Sequence, residues 1–87
     1  MSLEEAIKFL FSAYPDATYA VAERRIASLR DGQPRVHYWL SVSFDLDGVH
    51  SRYGIFADDI ATGLGLVADK VNEARTEAAQ CQPSLVN

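Results

Sequence analysis

From Val36 to Leu46 every even-numbered residue is apolar: Val36, Tyr38, Leu40, Val42, Phe44 and Leu46. Between them stand His37, Trp39, Ser41, Ser43 and Asp45. Period-two alternation over so long a run is the signature of a strand with one buried and one solvated face. Asp47-Gly48 follows, a pair suited to the positive φ angles of a two-residue type I′ turn. A second strand, Val49–Phe56, completes a hairpin. One face of that hairpin is apolar and needs cover. The other carries the only Trp and both histidines of the chain.

The flanking segments supply the cover. Ser2-Leu3-Glu4-Glu5 fits a capping box, in which the Ser2 hydroxyl and the Glu5 carboxylate satisfy each other's backbone amides. Leu3, Ile7, Leu10, Phe11 and Tyr14 follow at helical spacing, and Pro15 ends the helix. A last helix is expected over about 58–79, capped by Asp58 or Asp59, with Ile60, Leu64, Val67, Val71 and Ala74 on its buried stripe. Gly63 and Gly65 fall inside it. Close approach to the sheet explains such glycines; a hinge or partner contact is the alternative. Residues 80–87 are expected to form a flexible tail.

Residues 17–29 admit two readings. Tyr19 and Val21 alternate as in a strand, and a β-bulge near Glu23-Arg24-Arg25 would restore parity before Ile26. A helix with Tyr19, Ala22, Ile26 and Leu29 on one side is the other reading. A third strand would support the hairpin, so the strand is preferred. Asp31-Gly32 and Pro34 mark the loop into the next strand. The expected fold is α+β, a single domain over 1–79 in the order α-β-β-β-α. Its three-stranded antiparallel sheet has two helices packed on one face; the helical reading gives α-α-β-β-α.

Eighty-seven residues, 48% of them hydrophobic, can bury one modest core. The net charge of −4 argues against a general nucleic-acid binder, which must neutralise phosphates. One cysteine, Cys81, permits neither an internal disulfide nor a cysteine-based zinc site. Met1–Leu10 has no signal-peptide character, and no stretch reaches the roughly 20 apolar residues of a membrane span. A cytoplasmic protein without membrane attachment is the expectation.

Several residues invite a chemical reading. Ser43-Phe44-Asp45-Leu46-Asp47-Gly48 resembles the first motif of haloacid-dehalogenase-type phosphatases, which implies an aspartyl nucleophile, an acid/base and Mg²⁺. That family needs a parallel sheet with crossover helices, which this length does not hold, and the hairpin accounts for Asp47-Gly48 without chemistry. Hairpin geometry sets Asp45 opposite His50, Ser43 opposite Arg52, Ser41 opposite Gly54 and Trp39 opposite Phe56. Ser43, Asp45 and His50 share a face, but a flat sheet offers no oxyanion hole and no exclusion of water. His37 and Asp45 are about 26 Å apart along one strand, too far to share a metal with His50. Neither catalysis, a cofactor nor a metal is expected.

Trp39, Phe56, His37, Arg52, Asp45 and His50 are therefore read as a partner-binding face. Exposed aromatic and Arg side chains there are typical of interface hot spots. The partner is another protein or a second copy of the chain.

The order α-β-β-β-α, with Gly32-Gln33-Pro34-Arg35-Val36-His37 before the second strand, resembles the double-stranded-RNA-binding domain over residues 2–79. That resemblance implies RNA contact from the start of the last helix, through lysines. Here those positions read Phe56-Ala57-Asp58-Asp59-Ile60-Ala61. Two carboxylates would repel phosphate, so the resemblance implies a module that has exchanged RNA for protein. Nucleic-acid contact through Arg24, Arg25, Arg30 and Arg35 is the alternative. In size and acidity the chain is also similar to small phage-encoded accessory proteins, including inhibitors of host nucleic-acid-binding complexes.

Overall fold

The computed structural model describes residues 1–28 and 30–80. Its elements are α1 (Leu3–Ala13), β1 (Tyr19–Ser28), β2 (Pro34–Leu46), β3 (Val49–Ala57) and α2 (Ile60–Gln80). The strands form one antiparallel sheet in the order β1-β2-β3. The α+β order expected from the sequence is the order observed, and residues 19–28 are strand, not helix.

The β2–β3 register is the expected one. Asp45 pairs with His50, Ser43 with Arg52, Ser41 with Gly54 and Trp39 with Phe56. The turn fits its chemistry: Asp47 and Gly48 have φ of 52° and 80°. At the other hairpin Gly32 has φ of 79°, and the Gln33 amide donates to the Asp31 carboxylate at 2.9 Å.

Both helices pack on the even-numbered face of β2. Leu40, Val42 and Phe44 are buried there against Ala6, Leu10 and Tyr14 of the α1 segment and Ile60, Leu64, Val67 and Val71 of α2. Tyr14 meets Phe44 edge-on, with ring centroids 5.9 Å apart. The capping box at Ser2 and Glu5 forms with both contacts at 3.1 Å. Asp59 caps α2: its carboxylate accepts from the Thr62 amide and the Thr62 hydroxyl, each at 2.8 Å. Those two bonds, the amide first, hold the Asp59 carboxyl below its ordinary pKa.

Three expectations need correction. First, β1 has no bulge: its pairing with β2 runs unbroken from Tyr19↔Ser43 to Ser28↔Pro34. Ala20 and Ala22 therefore face the core, while Tyr19 and Val21 lie on the opposite face. The physical reason is that α1 packs on β1, and alanines let it approach where larger side chains would hold it away. Second, Phe11 is 42% exposed, and Ala6 takes the buried place expected for it. Third, the two α2 glycines differ. A Cβ at Gly63 would collide with the Leu40 side chain and crowd Ala57, so close approach to the sheet accounts for it. At Gly65 a Cβ would meet open space, so packing does not.

α2 continues through Gln80, the first residue of the expected tail; Cys81–Asn87 and Leu29 lie outside the described residues. The molecule is elongated, 56 × 29 × 22 Å. Residues 34–37 of β2 pair with β1 alone, so this hairpin runs on past β3 as an arm. On the arm Ile26, opposite Val36, is 65% exposed.

Candidate functional site

No element among the described residues covers the odd-numbered face of β2, and the site lies there. Strand register fills this face from both neighbours. Tyr19, Val21, Glu23 and Arg25 come from β1, and His50, Arg52, Gly54 and Phe56 from β3.

One end of the face is aromatic. The Trp39 and Phe56 ring centroids are 4.7 Å apart and tilted by 46°. Trp39 is half-buried because its indole lies across Gly54; Phe56 is 53% exposed. The Arg25 guanidinium reaches over both rings, 6.0 Å from the Trp39 centroid and 5.7 Å from that of Phe56. Glu23 anchors that guanidinium, with an ion-pair contact of 2.8 Å. A cation, an indole and a phenyl ring thus form one patch at the end of the sheet nearest the start of α2. His37 borders it, with Nδ1 3.6 Å from an Asp58 carboxylate oxygen.

At the opposite end the His50 ring and the Asp45 carboxylate are 2.6 Å apart, and Arg52 lies one row inward. Six residues along β2 separate Trp39 from Asp45, about 20 Å at strand rise. The six residues read from the sequence as partner-binding therefore all lie on the open face, but as two groups. Between them Ser41 and Ser43 are fully buried by their taller neighbours. The Ser43 Oγ has no hydrogen-bond partner among the described residues.

The four arginines of the alternative reading do not make one stripe. Arg24 falls on the helix face opposite Tyr38, Arg25 and Arg35 on the open face, and Arg30 in the turn. Arg25 is paired with Glu23, and Arg35 lies 3.7 Å from Asp31. Arg25 instead belongs to the aromatic patch. The contributions of Arg25, Glu23, Tyr19 and Val21 to that face were hidden by the parity of β1. Counting back evenly from the Asp31-Gly32 turn, with no bulge, would have revealed them.

Chemistry on this face is limited by its flatness. Asp45 stands on the sheet while Asp47 sits in the turn at positive φ, so the two carboxylates do not converge. No three His, Cys, Asp or Glu side chains among the described residues cluster as metal ligands. A concavity of about 460 Å³ opens on the helix side between β3 and α2, lined by Phe44, Val49, Tyr53, Val71 and Arg75. Arg75 lies over the Tyr14 and Phe44 rings at 5.7 and 5.4 Å, and reaches Asp16 at 3.3 Å. It closes a core edge that α2 leaves open.

No helix among the described residues is long and apolar enough to cross a membrane. Compared with protein-family models, with curated proteins and with solved structures, the chain matches none.

Proposed function

We propose that this chain is a non-enzymatic protein-interaction module that docks a protein partner on the open face of its sheet. The observation that carries the reading is the patch of Trp39, Phe56 and Arg25, exposed on a face that no element among the described residues covers. Trp, Tyr and Arg dominate interface energies, and here Trp and Arg are held in place beforehand. The indole rests on Gly54 and Glu23 anchors the guanidinium, so little side-chain entropy remains to be lost on binding.

A second reading has one observation in its favour. Half of the eight Lys and Arg residues, namely Arg24, Arg25, Arg30 and Arg35, lie on the β1–β2 arm. A nucleic acid gripped by that arm, as in a degenerate relative of the double-stranded-RNA-binding domain, is the alternative. Capture of a partner from the native host, followed by size exclusion with and without nuclease, separates the two. A complex that survives nuclease and is lost with Trp39→Ala supports protein docking; one that nuclease removes supports the arm.

A further inference from the structure

We propose that the concavity between β3 and α2 binds a small apolar monocarboxylate, with its hydrocarbon body in the cleft and its carboxylate on Arg75. This site is on the helix side of the sheet. It is independent of what docks on the open face.

The sequence of α2 explains the cleft. Val67 and Val71 are buried against the sheet, and the next position of that stripe is Ala74, whose short side chain reaches little of β3. Below it, Val49, Ser51 and Tyr53 of β3 stand on the helix side, in register with the even-numbered residues of β2. The space is about 460 Å³, within the roughly 300–1,000 Å³ typical of small-ligand pockets. Its walls are apolar. The Phe44 and Tyr53 rings are 6.1 Å apart and tilted by 58°, Val71 backs them, and Val49 at the lip is 63% exposed.

Arg75 selects the head group. Its guanidinium is held over the Phe44 and Tyr14 rings, so its direction is set before anything binds. Its one polar contact among the described residues is to a single Asp16 oxygen at 3.3 Å, with the two side chains 55% and 68% exposed. So open an ion pair contributes little, and most of the N–H fork is left unused. A planar carboxylate takes two parallel donors from such a fork. An organic cation is disfavoured, because the ring faces that would attract it already carry Arg75. Asp16 and Asp47 stand at the rim and oppose an anion, but both are exposed and screened by water and salt. A carboxylate in direct contact with Arg75 is screened least.

The test titrates the full chain with octanoate, octanol and octylammonium, which share one tail and differ in the head, and follows calorimetry and backbone amide NMR shifts. We expect octanoate to bind with a dissociation constant on the order of 300 µM, and the other two at least about tenfold more weakly. The shifts should gather on β3 and around Val71–Arg75. Arg75→Met keeps an apolar stem over the rings; it should weaken octanoate about tenfold and leave octanol unchanged. Asp16→Asn releases the guanidinium and should tighten octanoate severalfold. Ala74→Leu fills the cleft and should abolish octanoate binding in a chain that melts no earlier than the parent. Octylammonium as the tightest ligand overturns the carboxylate assignment. Equal affinity for all three probes, or binding untouched by Ala74→Leu, means adsorption to apolar surface and overturns the site. So does the absence of any shift with octanoate at about 5 mM, which leaves the concavity an unfilled core edge.

Discussion

The indole of Trp39 lies on the bare backbone of Gly54, its cross-sheet diagonal neighbour on β3. A Cβ at Gly54 would fall 2.5 Å from the Trp39 Cζ2 atom and 3.0 Å from the Ser41 Cβ. Glycine weakens a strand interior, and here it marks a close approach, made by a side chain. The contact turns what would be a freely swinging indole into a fixed surface beside Phe56.

Gly54→Ala tests this relationship. The methyl group must displace the indole, breaking its stacking on Phe56 and its contact with Arg25. We expect a loss of about 1–2 kcal/mol in stability and a red shift of Trp39 emission as the ring moves into water. Unchanged emission would mean that the ring does not rest on Gly54.

The two helix glycines should respond with opposite signs. Gly63→Ala drives a methyl group into Leu40 and should lower the melting temperature. Gly65→Ala meets open space and should raise stability by up to about 1 kcal/mol, the ordinary advantage of Ala over Gly inside a helix. Thermal melts of the two variants beside the parent chain decide it; a stabilising Gly63→Ala contradicts the close approach of α2.

Asp59 links stability to pH. Its carboxyl is held below its ordinary value by the Thr62 amide and then by the Thr62 hydroxyl. A carboxyl lowered in the folded state contributes stability above its unfolded pKa, and that contribution is lost as pH falls through the folded value. Asp59→Ala should therefore lower the melting temperature at neutral pH, with the difference from the parent shrinking as pH drops below about 4. Melts across pH 2–7 show whether the two curves converge.

The arm should not hold nucleic acid at physiological salt. Two of its four arginines already face carboxylates, and the four are split between two faces and a turn. Fluorescence anisotropy with labelled RNA and DNA duplexes across a salt series is the check. Binding of about micromolar strength that falls steeply with salt and disappears in Arg24→Ala with Arg25→Ala would favour the arm over the sheet face.

Much of this architecture was legible because local rules agreed. The alternation of Val36–Leu46 and the Asp47-Gly48 turn determine the β2–β3 register, and with it which six residues share the open face. The capping box at Ser2 and a cap at Asp58 or Asp59 were readable because each is a contact between near neighbours in sequence; the Thr62 bonds decide for Asp59. What was hidden depends on packing between distant elements. In β1 the larger apolar residues, Tyr19 and Val21, point away from the core, and small Ala20 and Ala22 point into it. Side-chain size there answers to α1 lying overhead, which no local pattern records. Gly63 and Gly65 look alike in sequence, and only the position of Leu40 separates them. Arg25 looked like part of a cationic edge; the unbroken β1 register carries it over Trp39 and Phe56 instead.

On the docking reading, Trp39 serves binding more than folding. Trp39→Ala, followed by thermal unfolding and by capture of the partner from the native host with the same sample, tests it most directly. We expect a folded chain destabilised by about 1 kcal/mol, a shift of roughly 4–8 °C for a domain of this size, with the partner no longer captured. Leu40→Ala, in the core, should cost about 2–5 kcal/mol. A Trp39→Ala chain that unfolds like Leu40→Ala, or that still captures the partner, would contradict this reading.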